Sequence, residues 1–252
     1  MNLESSGILE VKNLCFSYRG GFELSLARLT FAGGVCCLLG PNGAGKSTFI
    51  RLLTTSVMIP RGVIFFEGRD VRDDLRSYRR QLGYLPQRFG MVNNYRVSEM
   101  LEYVSWMKGV PKKARSEAIE RAAQQCDVTR FLTHRISALS GGTLRRVGIA
   151  QAIVNSPKIL ILDEPTAGLD MVQQSQLYSV VKSLSRESVI LVATHSSSDV
   201  AEMSSQLVIL NEGSTVYSGA VDDLSTHGGA SRREGIEIGY RAVVAAKPDV
   251  SL

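Results

Sequence analysis

The run Gly40-Pro41-Asn42-Gly43-Ala44-Gly45-Lys46-Ser47-Thr48 satisfies G-x-x-x-x-G-K-[ST], a spacing whose residue types suit one task, holding a polyphosphate. Glycines let the backbone wrap closely enough for its N–H groups to point inward at phosphate oxygens. A helix starting where the loop ends adds the positive end of its dipole. Lys46 supplies a mobile point charge for the β- and γ-phosphates. Ser47 places a hydroxyl where Mg²⁺ would sit, since that ion takes a few oxygen ligands and keeps waters.

A second constellation occupies residues 139–170, LSGGTLRRVGIAQAIVNSPKILILDEPTAGLD. Its apolar run at 159–162 delivers Asp163 and Glu164 side by side at the C-terminal end of a buried strand, where open α/β sheets bind ligands. Asp163 is the natural contact to Mg²⁺, and Glu164 is then placed to polarise a water aimed at a γ-phosphate. The same stretch opens on Ser140-Gly141-Gly142, a turn ahead of a helical pattern that also looks built to face a phosphate.

These groups need strands and helices to hold them. Residues 8–32 read as antiparallel sheet, with period-two alternation from Phe22 to Leu26. The apolar run 35–39, ending at Gly40, reads as a central strand buried on both faces. Phe49, Ile50, Leu52 and Leu53 then recur at helical spacing. Residues 62–67, 82–86, 159–162 and 189–193 predict further strands, and Asn211-Glu212-Gly213 a hairpin. From Val97 to Val154 the period changes to that of helices, the first marked by Val97, Leu101 and Val104, the next by Ala118, Ile119, Ala122, Ala123 and Cys126. The fold expected is α/β, a mostly parallel sheet with an N-terminal antiparallel β subdomain and a helical subdomain inserted at about 88–155. Residues 1–225 form the expected domain, and 226–252 a linker and a short helix whose face is Ile236, Tyr240, Val243 and Val244.

Composition narrows the setting. No apolar run approaches the ~20 residues of a membrane-spanning helix, and the N-terminus lacks the basic-then-apolar layout of a secretory signal. The expectation is a soluble, cytosolic chain. Cys15, Cys36, Cys37 and Cys126 contain no C-x-x-C pair; the adjacent Cys36 and Cys37 point to opposite faces of a strand and read as small buried thiols. The net charge of +5 permits nucleic-acid binding without demanding it. The densest basic cluster, Arg69, Arg72, Arg76, Arg79 and Arg80, is interleaved with Asp70, Asp73 and Asp74, which predicts a solvated helix face.

With these residues in place, the chain resembles the ATP-binding subunits of ABC transporters over residues 7–225. The loop at 40–48 matches the Walker A motif of these P-loop NTPases, ILILDE the Walker B, and LSGGT the signature usually written LSGGQ. Gln87 in YLPQ falls at the Q-loop glutamine, Asp170 closing AGLD at the D-loop, and His195 in ATHS at the switch histidine. Tyr18 lies where the family carries an aromatic that stacks on adenine.

The resemblance implies two such domains paired head to tail, as homodimer or heterodimer, each ATP between the Walker A of one and Ser140, Gly141 and Gly142 of the other. It implies Gln87 near Mg²⁺ or the attacking water, and His195 at the γ-phosphate. A membrane-spanning permease would be the partner, with the chain on the cytoplasmic face and residues 88–109, including Phe89, Met91 and Val92, as the docking surface. The Q-loop wording and compact length resemble subunits serving exporters. The alternative is a soluble ATPase acting on ribosomes or DNA, but the long coiled-coil insertion or fused second domain usual there is missing. Thr143 departs from the signature glutamine, a side chain expected near the sugar.

Overall fold

The computed structural model describes residues 9–225 and 231–245. In chain order its elements are β1 (Leu9–Ser17), β2 (Glu23–Phe31), β3 (Gly34–Leu39), α1 (Lys46–Leu53), β4 (Arg61–Phe66), β5 (Arg69–Asp70), α2 (Leu75–Arg80) and β6 (Leu82–Leu85). There follow α3 (Val97–Met107), α4 (Arg115–Gln125), α5 (Gly141–Ile153), β7 (Ile159–Asp163), α6 (Met171–Leu184), β8 (Val189–Thr194), α7 (Ser197–Met203), β9 (Gln206–Asn211), β10 (Ser214–Ala220), α8 (Val221–Ser225) and α9 (Arg232–Ala245). Two compact units emerge, one from residues 1–75 and 191–252, the other from 76–190.

In the first unit β1 pairs antiparallel with β2, Leu9 opposite Phe31, and with β4, Leu9 opposite Phe66. β3 runs parallel to β9, with Leu38 beside Val208, and β9 returns antiparallel into β10. The unit's strand order is β5-β4-β1-β2-β10-β9-β3-β8, where β8 enters the unit at Leu191. β2 buries Leu24 and Leu26 and, beyond the adjacent exposed pair Ala27 and Arg28, Leu29 and Phe31, a period of two with one break. β3 buries every residue from Val35 to Leu39, because it is central and covered on both faces. Phe31 meets Phe49 of α1 with ring centroids 6.2 Å apart, which seats that helix on the sheet.

The β9–β10 turn has Glu212 at φ 46° and Gly213 at φ 81°, the two positive angles of a type I′ hairpin. Gly213 N–H donates to Ala44 O at 3.1 Å, and Gly213 O accepts from Ser25 N–H at 2.7 Å. The hairpin therefore bridges the phosphate loop and β2. The C-terminal face foreseen at Ile236 is real: Ile236 is fully buried and Tyr240, Val243 and Val244 are half-buried. Glu237 accepts from Ser197 Oγ at 2.6 Å, and Arg232 donates to Ala201 O and Ser204 O, so α9 is fastened to α7. The linker foreseen before it falls mostly outside the described residues.

In the second unit β6 and β7 run parallel, Leu82 beside Ile159. α5 packs on β6, and α3 and α4 pack on α5, around Leu101, Ala122, Val147, Ile149 and Leu160, all fully buried. Residues 88–155 contain helices and a single isolated bridge between Arg96 and Arg135.

The arginine cluster differs from expectation. Arg69–Asp70 is an edge strand on β4, Arg72 folds back onto Asp70 through both its backbone and its guanidinium, and only 75–80 is helical. Mixed charge marks solvent exposure, which a strand edge, a turn and a helix face share, so it could not tell them apart. Cys36, Cys37 and Cys126 are buried free thiols; burial raises the Cys36 pKa to about 12.

Lys108, just after α3, donates to Ala152 O at 2.8 Å and Asn155 Oδ1 at 2.9 Å, placing a cation at the C-terminal end of α5. Burial lowers its pKa to about 8. Between that value and the usual ~10.4 of lysine the unfolded chain binds the proton and the folded chain does not. Stability supplied by this group therefore rises with pH across that window. From pH 7.5 to 9.5 the wild type should gain on the order of 1–2 kcal/mol relative to Lys108→Met, measured by urea unfolding at the two pH values.

Candidate active site

The first unit holds the phosphate loop. Gly45, at φ 107°, caps α1 without any side-chain hydrogen bond, and no acidic residue sits in the helix's first turn. The N–H groups at that helix start have no side-chain cap to compete with an anion. A Cβ on Gly45 would lie 2.8 Å from Leu24 Cδ1 and 3.1 Å from Phe22 Cζ, so both the left-handed backbone and the packing demand glycine. Lys46 Nζ arches back over the loop, donating to Gly40 O at 2.5 Å and Pro41 O at 3.1 Å. Ser47 is exposed while Thr48 is buried.

Tyr18 follows β1, packs edge-on to Phe16 at 4.8 Å and accepts from Arg51 Nη1 of α1 at 3.3 Å. It is 38% exposed, enough to offer a ring face beside the loop's own helix. His195 is exposed at the end of β8. Behind it the backbone is fixed: Thr194 Oγ1 donates to the buried Asp199 at 2.6 Å and accepts from Ser196 N–H at 3.0 Å.

The second unit holds the carboxylates and the Ser-Gly-Gly turn. Asp163 ends β7 half-buried, and Glu164 follows it, 8% exposed. Glu164 adopts φ 48°, a left-handed conformation that costs a non-glycine residue of order 1 kcal/mol. Its carbonyl accepts from Ala167 N–H at 3.2 Å, and Thr166 O accepts from Leu169 N–H, which closes the turn leading to Asp170. Asp170 caps α6, its Oδ1 accepting from Gln173 N–H at 2.8 Å.

Ser140 caps α5 by accepting from Thr143 N–H. Gly142 has no Cβ because the Gln173 side chain occupies that space, 2.8 Å from where one would stand. The α6 start that Asp170 caps is thus packed on the Ser-Gly-Gly turn. Thr143, which stands in place of the signature glutamine, is buried, with its hydroxyl 3.0 Å from Ser140 Oγ. It sits at the third position of the helix, so its N–H and its hydroxyl both face the Ser140 hydroxyl.

Gln87 is exposed beyond β6, and its backbone carbonyl accepts from Arg145 Nη1. Phe89, foreseen as free apolar surface, lies under the Arg145 guanidinium instead. Arg145 and Gln173 escaped the sequence reading because neither belongs to a motif, and only their contacts reveal them.

Among the described residues no group of three or more His, Cys, Asp and Glu side chains could hold a metal by itself. Mg²⁺ does not require one. A serine hydroxyl and an aspartate, with phosphate oxygens and water, is the hard-oxygen set it prefers, so Ser47 and Asp163 fit the ion chemically.

Residues 27–167 match the family model described as ABC transporter. The chain belongs to the ABC transporter family. It is an ATP-binding domain of that family of ATPases. It is 28% identical over 227 residues to the spermidine/putrescine import ATP-binding protein PotA of Clostridium novyi, covering 87% of this chain and 64% of that protein. It is 32% identical over 188 residues to the "Probable multidrug ABC transporter ATP-binding protein YbhF" of Escherichia coli, covering 75% and 32%. The solved structure of an ATP-binding subunit of an ABC transporter superposes with a TM-score of 0.78 at 26% identity, covering 94% of this chain and 99% of that one. The chain thus spans between a quarter and about two thirds of the length of the first curated relatives it matches.

Proposed function

We propose that this domain binds ATP with Mg²⁺, hydrolyses it, and powers a membrane transporter through ATP-driven closure of two such domains. The observation that carries this is the phosphate loop, with a helix start that no side chain caps and with Lys46 arched over it. Residues 1–225 are the ATP-binding domain and 226–252 its tail.

The loop's N–H groups and Lys46 hold the phosphates, and Tyr18 stacks on the base. Ser47, Asp163 and Gln87 would hold Mg²⁺, which when bound would neutralise phosphate charge. Glu164 takes a proton from the attacking water, and His195 stabilises charge growing on the γ-phosphate. Ser140, Gly141 and Gly142 bind the γ-phosphate of the partner domain's ATP, and Asp170 lies at the same dimer interface. ATP that bridges two domains favours their closed pair by differential binding, and losing the γ-phosphate releases it.

No helix among the described residues is long and apolar enough to cross a membrane; a permease that docks on residues 88–109 uses the motion. That surface exposes Val92, Tyr95, Tyr103, Trp106 and Met107, more large apolar side chains than a solvated face needs. An exporter is what the wording around Gln87 favours, although the relatives' names include both spermidine/putrescine import and multidrug transport. The direct test is phosphate release by the purified chain with Mg-ATP. Turnover that requires both nucleotide and Mg²⁺ supports the reading, and its absence at any concentration of the chain contradicts it.

A further inference from the structure

Arg145 lies in the second turn of α5, the helix that Ser140 caps, and its guanidinium makes three contacts. Nη1 donates to Gln87 O at 3.1 Å, Nη2 reaches Ala167 O at 3.5 Å, and the group lies 5.2 Å from the centre of the Phe89 ring. Ala167 in turn donates its N–H to the carbonyl of Glu164. One planar fork therefore ties the Ser-Gly-Gly helix both to the loop carrying Gln87 and to the turn that runs from Glu164 to Asp170.

The chemistry is particular to arginine. Burial lowers its pKa, but guanidinium starts so far above neutrality that it stays charged. A charged donor bonds a carbonyl more strongly than a neutral one. Lysine could reach one carbonyl as a point charge, but could not serve two acceptors in a plane while stacking on a ring.

We propose that Arg145 is a positioning residue that couples the Gln87 loop to the Glu164–Asp170 turn, so that both loops shift as one with the start of α5. The coupling rests on the proposed roles of Gln87 and Glu164 only for its catalytic consequence; its structural part stands on the contacts alone.

Hydrogen exchange on the full chain without nucleotide tests the structural part. In Arg145→Met, residues 88–92 and 166–170 should both exchange faster, by about tenfold or more, the factor that corresponds to losing a charge-assisted hydrogen bond. Residues 147–153 of the same helix should not change. Arg145→Lys, which keeps the charge, should loosen one segment and not both. Acceleration of neither segment in Arg145→Met, or equal acceleration throughout α5, overturns the coupling.

Kinetics test the consequence. Arg145→Met should lower kcat by about tenfold with the KM for ATP unchanged, and this loss should shrink when Gln87 is already alanine. Equal losses in both backgrounds would mean that Arg145 does not act through Gln87. If the wild type itself hydrolyses no ATP while the exchange pattern holds, the proposed function fails and the coupling survives.

Discussion

Replacing Glu164 with glutamine is expected to lower ATP turnover by roughly 10²–10⁴-fold, the usual contribution of a positioned general base, with nucleotide affinity unchanged. Gln keeps the size and most of the hydrogen-bonding reach of the native side chain, so the turn at φ 48° and its Ala167 to Glu164 hydrogen bond should persist. What disappears is the carboxylate that accepts a proton from water. Glu164 is also largely buried, so bulk water has little room to replace it. Phosphate release at saturating Mg-ATP, beside a titration with a fluorescent nucleotide, separates the two effects. Near-native turnover would assign the chemistry to another group.

Replacing Lys46 with alanine is expected to act on binding. Lys46 is 9% exposed, and its ammonium donates to the carbonyls of Gly40 and Pro41, which are neutral acceptors. A polyphosphate would add charged acceptors for this ammonium in a buried site, where such hydrogen bonds are worth most. Affinity for ATP should fall by roughly 10- to 100-fold, the equivalent of ~1.5–3 kcal/mol for hydrogen bonds to a charged group. The loss should be smaller for ADP and absent for AMP, because the lysine serves the outer phosphates. Calorimetric titration with the three nucleotides checks this order, and thermal unfolding without nucleotide separates lost contacts from a damaged fold. An equal loss for all three would show that Lys46 shapes the loop and does not touch phosphate.

Much of this was legible because the chemistry at these positions restricts residue type. A left-handed loop residue packed against Leu24 must be glycine, and Gly45 announces itself. A strand buried on both faces must be continuously apolar, as residues 35–39 are. The helical period of α3 and α4 was equally plain, since each packs one face on α5. The less legible features depend on contacts between residues distant in the chain. Nothing local to Arg145 says that it will bridge Gln87 and Ala167, and nothing in Gly213 says that its N–H will hold the phosphate loop. Thr143 reads in the sequence only as a departure from the signature, and its contact with the Ser140 hydroxyl is visible only in the structure. Phe89 read as open apolar surface for the same reason, because the guanidinium covering it comes from residue 145.

Closure of two ATP-bound copies is the central claim, and sedimentation velocity of Glu164→Gln tests it most directly. With Mg-ATP the variant should sediment as a dimer, with Mg-ADP or without nucleotide as a monomer, and adding Ser140→Arg should abolish the dimer while leaving nucleotide binding intact. A variant that binds ATP yet stays monomeric at every concentration would contradict the claim.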